Sequence, residues 1–515
     1  MTPAPSLPPA LAIGAVAAVA LTTVLVGVLG LRISRTTSDF YVASRTVRPW
    51  WNASAIGGEY LSAASFLGVA GLIMVNGAQA LWYPIGYTAG FLMLLLFVAT
   101  PLRRSGAYTV PDFAAARLGS NAVRRATSVL VVLIAWFYIV PQLQGAALAL
   151  HTTTGLPGWV GSVAVVAVVV ASVMFGGMRS ITFVQAFQFW LKLAALALPA
   201  LFLVLWLAGR GAPSGEPIDA LGAASGNAPA IPASLVAPDG VYRTVSVMVA
   251  LLFGTLGLPH VLVRFYTNPD GPSARRTTVI VLSLLSVFYL FPTAFGILGR
   301  TAAPDLAGQA DATVVLLPAR LIDGPLGAAL SALVLAGAMA AFLSTTSGLL
   351  VSIAGVMSQE LFGGSVHGFR VAAAASAAVP LGAALLAGPQ ALAGSVGLVF
   401  AFTASTICPL LILSIWWRRL TAAGAIAGLA AGALACGSAV LFSAIVPGIA
   451  NMAVLQALLG QPAAWSVPLA FAVMVGVSAV RRRPVPTAVD RFLVRIHRPE
   501  AYEPDPAREA TRSSR

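Results

Sequence analysis

Charge is what this sequence has least of: only 9% of its 515 residues are Asp, Glu, Lys or Arg. A soluble globular chain carries nearer a quarter, so that class is excluded. Of the 30 basic residues one, Lys192, is a lysine, a skew read as genome composition rather than mechanism. There are two cysteines, Cys408 and Cys436, both inside apolar runs. They imply neither a disulfide framework nor a metal cluster and read as small buried hydrophobes. Nor is there a polar stretch long enough to fold alone. The longest loop and the tail are each about thirty residues, short of the usual domain, which leaves no room for a kinase or other output domain.

Hydrophobic residues make up 58% of the chain and mean hydropathy is +0.90. Apolar runs repeatedly exceed the roughly 20 residues that cross hydrocarbon. The chain reads as an all-α polytopic membrane protein with about 13 transmembrane helices. The net charge of +14 does not indicate nucleic acid, because the arginines gather in alternate loops, as the positive-inside rule requires. Those at 32–48, 103–125, 179, 264–276, 370, 418–419 and 481–483 then share the cytoplasmic side. Acidic Glu216, Asp219, Asp305 and Asp323 fall outside. The expected organisation is an extra span and loop over 1–49, five spans over 50–208 and an outer loop over 209–240. Five more spans follow over 241–415, two additional spans over 416–483, and a loosely ordered cytoplasmic tail over 484–515. The basic-free segment before the first span marks it as retained, with the N-terminus outside a plasma membrane.

Two spans are built to break. The first contains Asn52-Ala-Ser-Ala-Ile-Gly57-Gly58-Glu59-Tyr60-Leu61-Ser62, small and polar where hydrocarbon demands apolar residues. Glu59 is the only acidic residue that the reading places within a span; a charge there costs about 2.5–3.5 kcal/mol unless paired or hydrated. Gly57-Gly58 lets the helix open and bare its carbonyls, tolerated only where backbone lines an enclosed cavity. The second is Phe253-Gly254-Thr255-Leu256-Gly257-Leu258-Pro259-His260, with two glycines and a proline in the middle of an apolar run. Each break opens a set of five spans, and five being odd, the second set is inverted. Interrupted segments at matching places in inverted halves point to a transporter's binding site.

Several separated motifs resemble one family. Ser38-Asp39-Phe40-Tyr41-Val42-Ala43, the stretch 57–68, and Gly257-Leu258-Pro259-His260 followed by Arg264-Phe265 are similar to the sodium:solute symporters. The last of these, with Phe175-Gly-Gly-Met178 and Val184-Gln185, resembles the acetate and short-monocarboxylate branch. The resemblance, over about residues 36–425, implies a leucine-transporter-like five-plus-five inverted repeat with flanking helices. It also implies cation-coupled uptake of acetate, propionate or pyruvate. By motif, sodium, co-transported rather than prosthetic, would be held by carbonyls of Gly58, Leu61 and Ala341 and by hydroxyls of Ser344 and Thr345. Residues 341, 344 and 345 share one helical face, and four hydroxyls in succession exceed what back-bonding to the helix requires.

The candidate solute-facing residues are Glu59, Tyr60, Ser65, Tyr138, Gln142, Gly254, Thr255 and His260. Among them Glu59 is expected to set the cavity's electrostatics rather than touch a like-charged solute. Tyr138 and Gln142 either face the cavity or satisfy backbone freed by Pro141. His260 is a solute donor, a titrating group or a cap on freed backbone. Lys192 is expected to snorkel along its span or to pair structurally, and Arg264 to serve the cytoplasmic gate or anchor a helix end. With no basic residue then assigned to the core, an anion would be received by positive helix ends at the breaks. The tryptophans 50, 51, 416 and 417 read as interfacial anchors.

The expected partners are a small organic anion, sodium and the lipid bilayer, with no nucleic acid and no obligatory protein partner. An enzyme is not expected, because no nucleophile–base or metal constellation is visible, and a channel would need a ring of like residues. Within the transporters, a proton-coupled carboxylate carrier using Glu59 or His260, or a sodium symporter of another solute, is the alternative.

Overall fold

The structure is a computed structural model, and it describes residues 7–29, 43–209, 238–387, 392–446, 452–480 and 487–499. The motif at 38–42, most of the loop 209–240 and the arginines at 32, 35 and 481–483 lie outside these. Among the described residues there is no strand, the outcome that hydrocarbon enforces on an open chain, since each backbone group must be paired within its own segment.

The first helix, α1 (Pro9–Leu29), is followed by the broken pair α2 (Pro49–Tyr60) and α3 (Val69–Asn76). Then come α4 (Trp82–Phe97), α5 (Asn121–Thr154) and α6 (Gly158–Gly209). The second set begins with another broken pair, α7 (Pro238–Gly257) and α8 (Pro259–Phe265), followed by α9 (Gly271–Ala302), α10 (Pro325–Leu361) and α11 (Val366–Leu386). A third broken pair, α12 (Leu392–Ser405) and α13 (Ile407–Trp416), precedes α14 (Ala422–Ile445) and α15 (Ala463–Val480). A short helix, α16 (Thr487–His497), ends the described chain.

Eleven helical segments among the described residues are long and apolar enough to span a membrane. Two of these segments take in more than one expected span. The segment 64–97 holds the end of the second and most of the third through a turn at Gly77, where φ is 61° and ψ −141°, and α6 joins two expected spans in one run of 52 residues. That run turns at Gly177, where φ is 59° and ψ −175°, a region essentially closed to side-chain-bearing residues. The break between α12 and α13 was not expected. Pro409 offers no N–H to the Ser405 carbonyl, and the hydroxyls of Thr403, Ser405 and Thr406 each bond back to the carbonyl four residues earlier.

The centre of the molecule is α10. Nearly every residue from Leu330 to Val356 is buried, all round the helix rather than along one stripe, which marks a helix enclosed by others. It packs against α6, α5, α11 and α2. Cys408 and Cys436 are both buried free thiols. Over its described residues, 487–499, the expected loose tail instead forms a helix that packs on the body. Phe492 and Ile496 of α16 turn inward, Phe492 sits 5.8 Å from the ring of Phe113, and Asp490 takes both ends of the Arg418 guanidinium at 2.7 Å.

Gly177→Ala is expected to lower stability by about 1–3 kcal/mol, the cost of forcing a Cβ into that backbone region. Gly14→Ala, where nothing lies within 4 Å of the added atom, is expected to leave it unchanged. Thermal unfolding of the two variants in detergent checks the pair.

Candidate functional site at the broken helices

The first break lies at Leu61 and Ser62. Leu61 leaves the helix at φ −74° and ψ 85°, and the chain resumes through a π-turn over Ala64–Gly68. Such π-turns occur mostly at functional sites. The N–H of Ala63, freed by the break, donates to Gln142 Oε1 of α5 at 2.9 Å. Gln142 therefore satisfies backbone, though that of the first break and not that freed by Pro141. The second break is Leu258, extended at φ −65° and ψ 112°, with Pro259 starting α8 where a helix's first residue needs no donor.

Helix α6 runs close beside the first break. A Cβ on Gly58 would collide with the Gln185 carbonyl, so glycine sets the approach of α2 to α6. Gln185 and Lys192 lie two turns apart on the α6 face turned to the break, and both are fully buried. The amino group of Lys192 donates to the Gly58 carbonyl, to the Leu61 carbonyl at 2.8 Å and to Ser344 Oγ of α10 at 2.6 Å. Ser344 Oγ lies 2.7 Å from the Gly58 carbonyl and 3.1 Å from that of Ala341. Thr345 Oγ1 donates to the Glu59 carbonyl at 2.7 Å. The five residues assigned to sodium by motif are thus gathered in one place. As a seat for a free ion they do not fit this structure, because Lys192 Nζ is bonded to three of them. Lys192 does not snorkel: it is 0% exposed.

The Glu59 carboxylate belongs to a second knot adjoining the first. Its Oε2 accepts from Arg264 Nε at 2.7 Å, and both side chains are 1% exposed. The other Arg264 nitrogens donate to Thr182 Oγ1, at 2.7 Å, and to Gln185 Oε1. Gln185 Nε2 in turn donates to the Ser344 carbonyl at 2.9 Å. Asn52 Nδ2 donates to the Arg264 carbonyl at 3.0 Å. Gly348 leaves room for the Glu59 carboxylate, which a side chain at that position would strike. Arg264 therefore turns its guanidinium into the core, and the core holds two basic groups where none was assigned. The helical spacing of Thr182, Gln185 and Lys192 within an apolar run was the available signal for this face.

The remaining candidates belong to a buried aromatic cluster. Tyr60 Oη is 3.1 Å from Thr255 Oγ1 and 3.1 Å from the Tyr87 carbonyl. Ser65 Oγ meets Tyr289 Oη at 2.9 Å, and Gly254 lets α7 close against the backbone of Phe400. The ring of Tyr138 stands edge-on to His260 at 5.3 Å and to Phe400 at 6.0 Å. Tyr87, which the sequence did not single out, lies 5.2 Å from Phe400 and stacks on Tyr289 at 5.8 Å. Both ring nitrogens of His260, and Tyr87 Oη, are buried without a hydrogen-bond partner. Buried polar atoms left so are few in native proteins, and each calls for an explanation such as strain or a bound group.

Membrane-length helices broken inside the bundle, with polar side chains converging on the first break, are the architecture of a secondary transporter. The chain belongs to the sodium:solute symporter family, whose model matches residues 40–432. It is 30% identical over 427 residues to the uncharacterized symporter YwcA of Bacillus subtilis, covering 79% of this chain and 81% of that one. It is also 30% identical over 486 residues to the monocarboxylic acid transporter of Corynebacterium glutamicum, covering 86% of each. Among solved structures it superposes on a substrate-bound, outward-open Na+-coupled sialic acid symporter with a TM-score of 0.72 at 14% identity, over 92% of this chain and 98% of that one. Mhp1, a nucleobase-cation-symport-1 family transporter with bromovinylhydantoin bound, follows with 0.57 at 16% identity, over 88% and 98%. The expected leucine-transporter-like fold is thereby met, and the protein is a transporter, not an enzyme.

Removing either partner of the Glu59–Arg264 pair leaves a buried charge uncompensated. Glu59→Gln and Arg264→Gln are each expected to cost about 3–5 kcal/mol. The double variant is expected to cost clearly less than the sum of the singles. Unfolding in detergent across this double-mutant cycle measures the coupling.

Proposed function

We propose that this symporter imports a small monocarboxylate, of the size of acetate, propionate or pyruvate, across the plasma membrane. The observation that carries the reading is the charge and hydrogen-bonding balance at the breaks. One buried carboxylate, Glu59, faces two buried basic groups, Arg264 and Lys192, beside the unpartnered His260 ring and Tyr87 hydroxyl. Such a site has basic groups beside open polar positions, and a compact anion supplies the partners those positions lack. The Corynebacterium relative, named for monocarboxylic acids, supports the same solute class.

The solute is placed against His260, Tyr138 and Tyr87. Glu59, Tyr60, Ser65, Gln142, Gly254 and Thr255 hold the walls, and the two sets of five spans, 50–208 and 241–415, form the inverted halves. Sodium as the co-transported ion is supported by family membership and by the Na+-coupled structural neighbour. It is not supported by the oxygens of Gly58, Leu61 and Ser344, which are engaged with Lys192. The arginine distribution supports an outside N-terminus and a cytoplasmic C-terminus, and nothing in the chain calls for an obligatory protein partner.

His260→Ala is expected to raise KM for labelled acetate or pyruvate in proteoliposomes by about tenfold, with a smaller change in kcat, as loss of a ground-state binding contact should. Uptake of a neutral solute with none of these acids would overturn the reading. For orientation, Ala220→Cys is expected to react with an impermeant thiol reagent in intact cells, and Asn121→Cys is not. The buried Cys408 and Cys436 give no background.

A further inference from the structure

We propose that Lys192 is the permanent occupant of the cation seat beside the first break, so that solute transport proceeds without a sodium ion at that seat. The inference goes beyond the solute reading and rests on it only where flux is measured.

The geometry is that of a lysine used as an ion. An ammonium offers three N–H donors and no acceptor. Lys192 finds three acceptors: the carbonyls of Gly58 and Leu61 and the hydroxyl of Ser344, the last two at 2.8 and 2.6 Å. Gly58 lies in the last turn of α2 and Leu61 is its cap, where a broken helix leaves C=O groups without intrahelical partners. These are the oxygens that a free cation would need. A second cation among them would have to displace the amino group or share its ligands at like charge. The Ser344 hydroxyl and the Ala341 carbonyl are already joined, and Thr345 is committed to the Glu59 carbonyl.

The amino group has no ready exit. Lys192 is fully buried, α2 and α6 are held close by Gly58 against the Gln185 backbone, and the stem leaves α6 on the face turned to α2. The charges that face it are few. From α2 comes the Glu59 carboxylate, with Tyr60 beyond it, and from α8 come Arg264, bound to that carboxylate, and His260. From α5 comes Tyr138, and from α9 Tyr289, which is spent on Ser65. Helix α1 has no titratable side chain, and the one acidic residue of α10, Glu360, is bound to Arg124 at 2.6 Å. Among the described residues Glu59 is thus the only carboxylate near the amino group, and it is already bound to Arg264. A sodium ion added to this set would find no further negative partner.

The test uses the purified full chain in detergent and in proteoliposomes, with NaCl exchanged for choline chloride at constant ionic strength. Any rise in the wild-type unfolding temperature with sodium is expected to be the same in Ser344→Ala, because the seat takes no ion. Lys192→Ala vacates the oxygens, and its unfolding temperature is expected to rise with sodium beyond any wild-type rise, and not with choline, as for a ligand bound only by the folded state. Lys192→Met keeps the bulk of the stem without the charge and is expected to respond as the wild type does. A sodium-dependent rise in the wild type that Ser344→Ala abolishes would overturn the proposal, and this arm does not depend on how the lysine variants fold. So would a folded Lys192→Ala protein whose rise with sodium does not exceed the wild type's. If the wild type takes up no monocarboxylate in either salt, the solute reading fails, while the unfolding measurements still report on the seat.

Discussion

Everything near the centre depends on one constraint: a helix opened inside a hydrocarbon-facing bundle has to have its freed backbone satisfied by the protein. At the first break the chain does this from three directions. Gln142 reaches from α5 to the Ala63 N–H, Ser344 and Thr345 reach from α10, and Lys192 reaches from α6 to two carbonyls at once. Breaking α2 therefore pins three helices to it. The same contacts explain why α10 is enclosed all round and why small residues recur wherever α2 and α6 approach.

The second consequence is electrostatic. Glu59 is tolerable in its position because Arg264, from the other inverted half, meets it at hydrogen-bond distance. Arg264 is in turn tolerable because Thr182 and Gln185 share its remaining donors. The pair thus joins the two breaks, one residue from each, into a single polar knot. A knot of this sort contributes little net stability compared with apolar packing, and what it fixes is register: which turn of α8 faces which turn of α2.

Much of this was legible beforehand, and for physical reasons. The broken spans announced themselves through Gly57-Gly58 and through Gly257 and Pro259, because glycine and proline alter the backbone directly. The convergence of Gly58, Leu61, Ala341, Ser344 and Thr345 followed from motif resemblance, and these residues do meet. What could not be read was side-chain direction. Lys192 sits on a span from which a lysine can equally reach the interface, and only the proximity of α2 decides that it turns inward. Arg264 looked like an end-of-helix residue because α8 is seven residues long, which sequence alone did not separate from α7. The break at Thr406 was masked because its cause, Pro409, sits three residues downstream, and the helix α16 because its apolar face is only a few residues wide.

That last helix has a consequence of its own. Among its bonds to the body of the molecule is a pair of exposed charges, Arg418 and Asp490, with side chains 61% and 42% exposed, beside the Phe492–Phe113 and His497–Trp416 ring contacts and the buried Ile496. An exposed ion pair contributes only about 0.5 kcal/mol and is weakened by salt over a Debye length of about 8 Å. The clasp bridges the segment after α4 and the end of α13, so it spans both sets of helices on one face. Ionic strength acts on that clasp and leaves the enclosed Glu59–Arg264 pair untouched. The molecule therefore has one closure that the surrounding solution can loosen and one that it cannot reach.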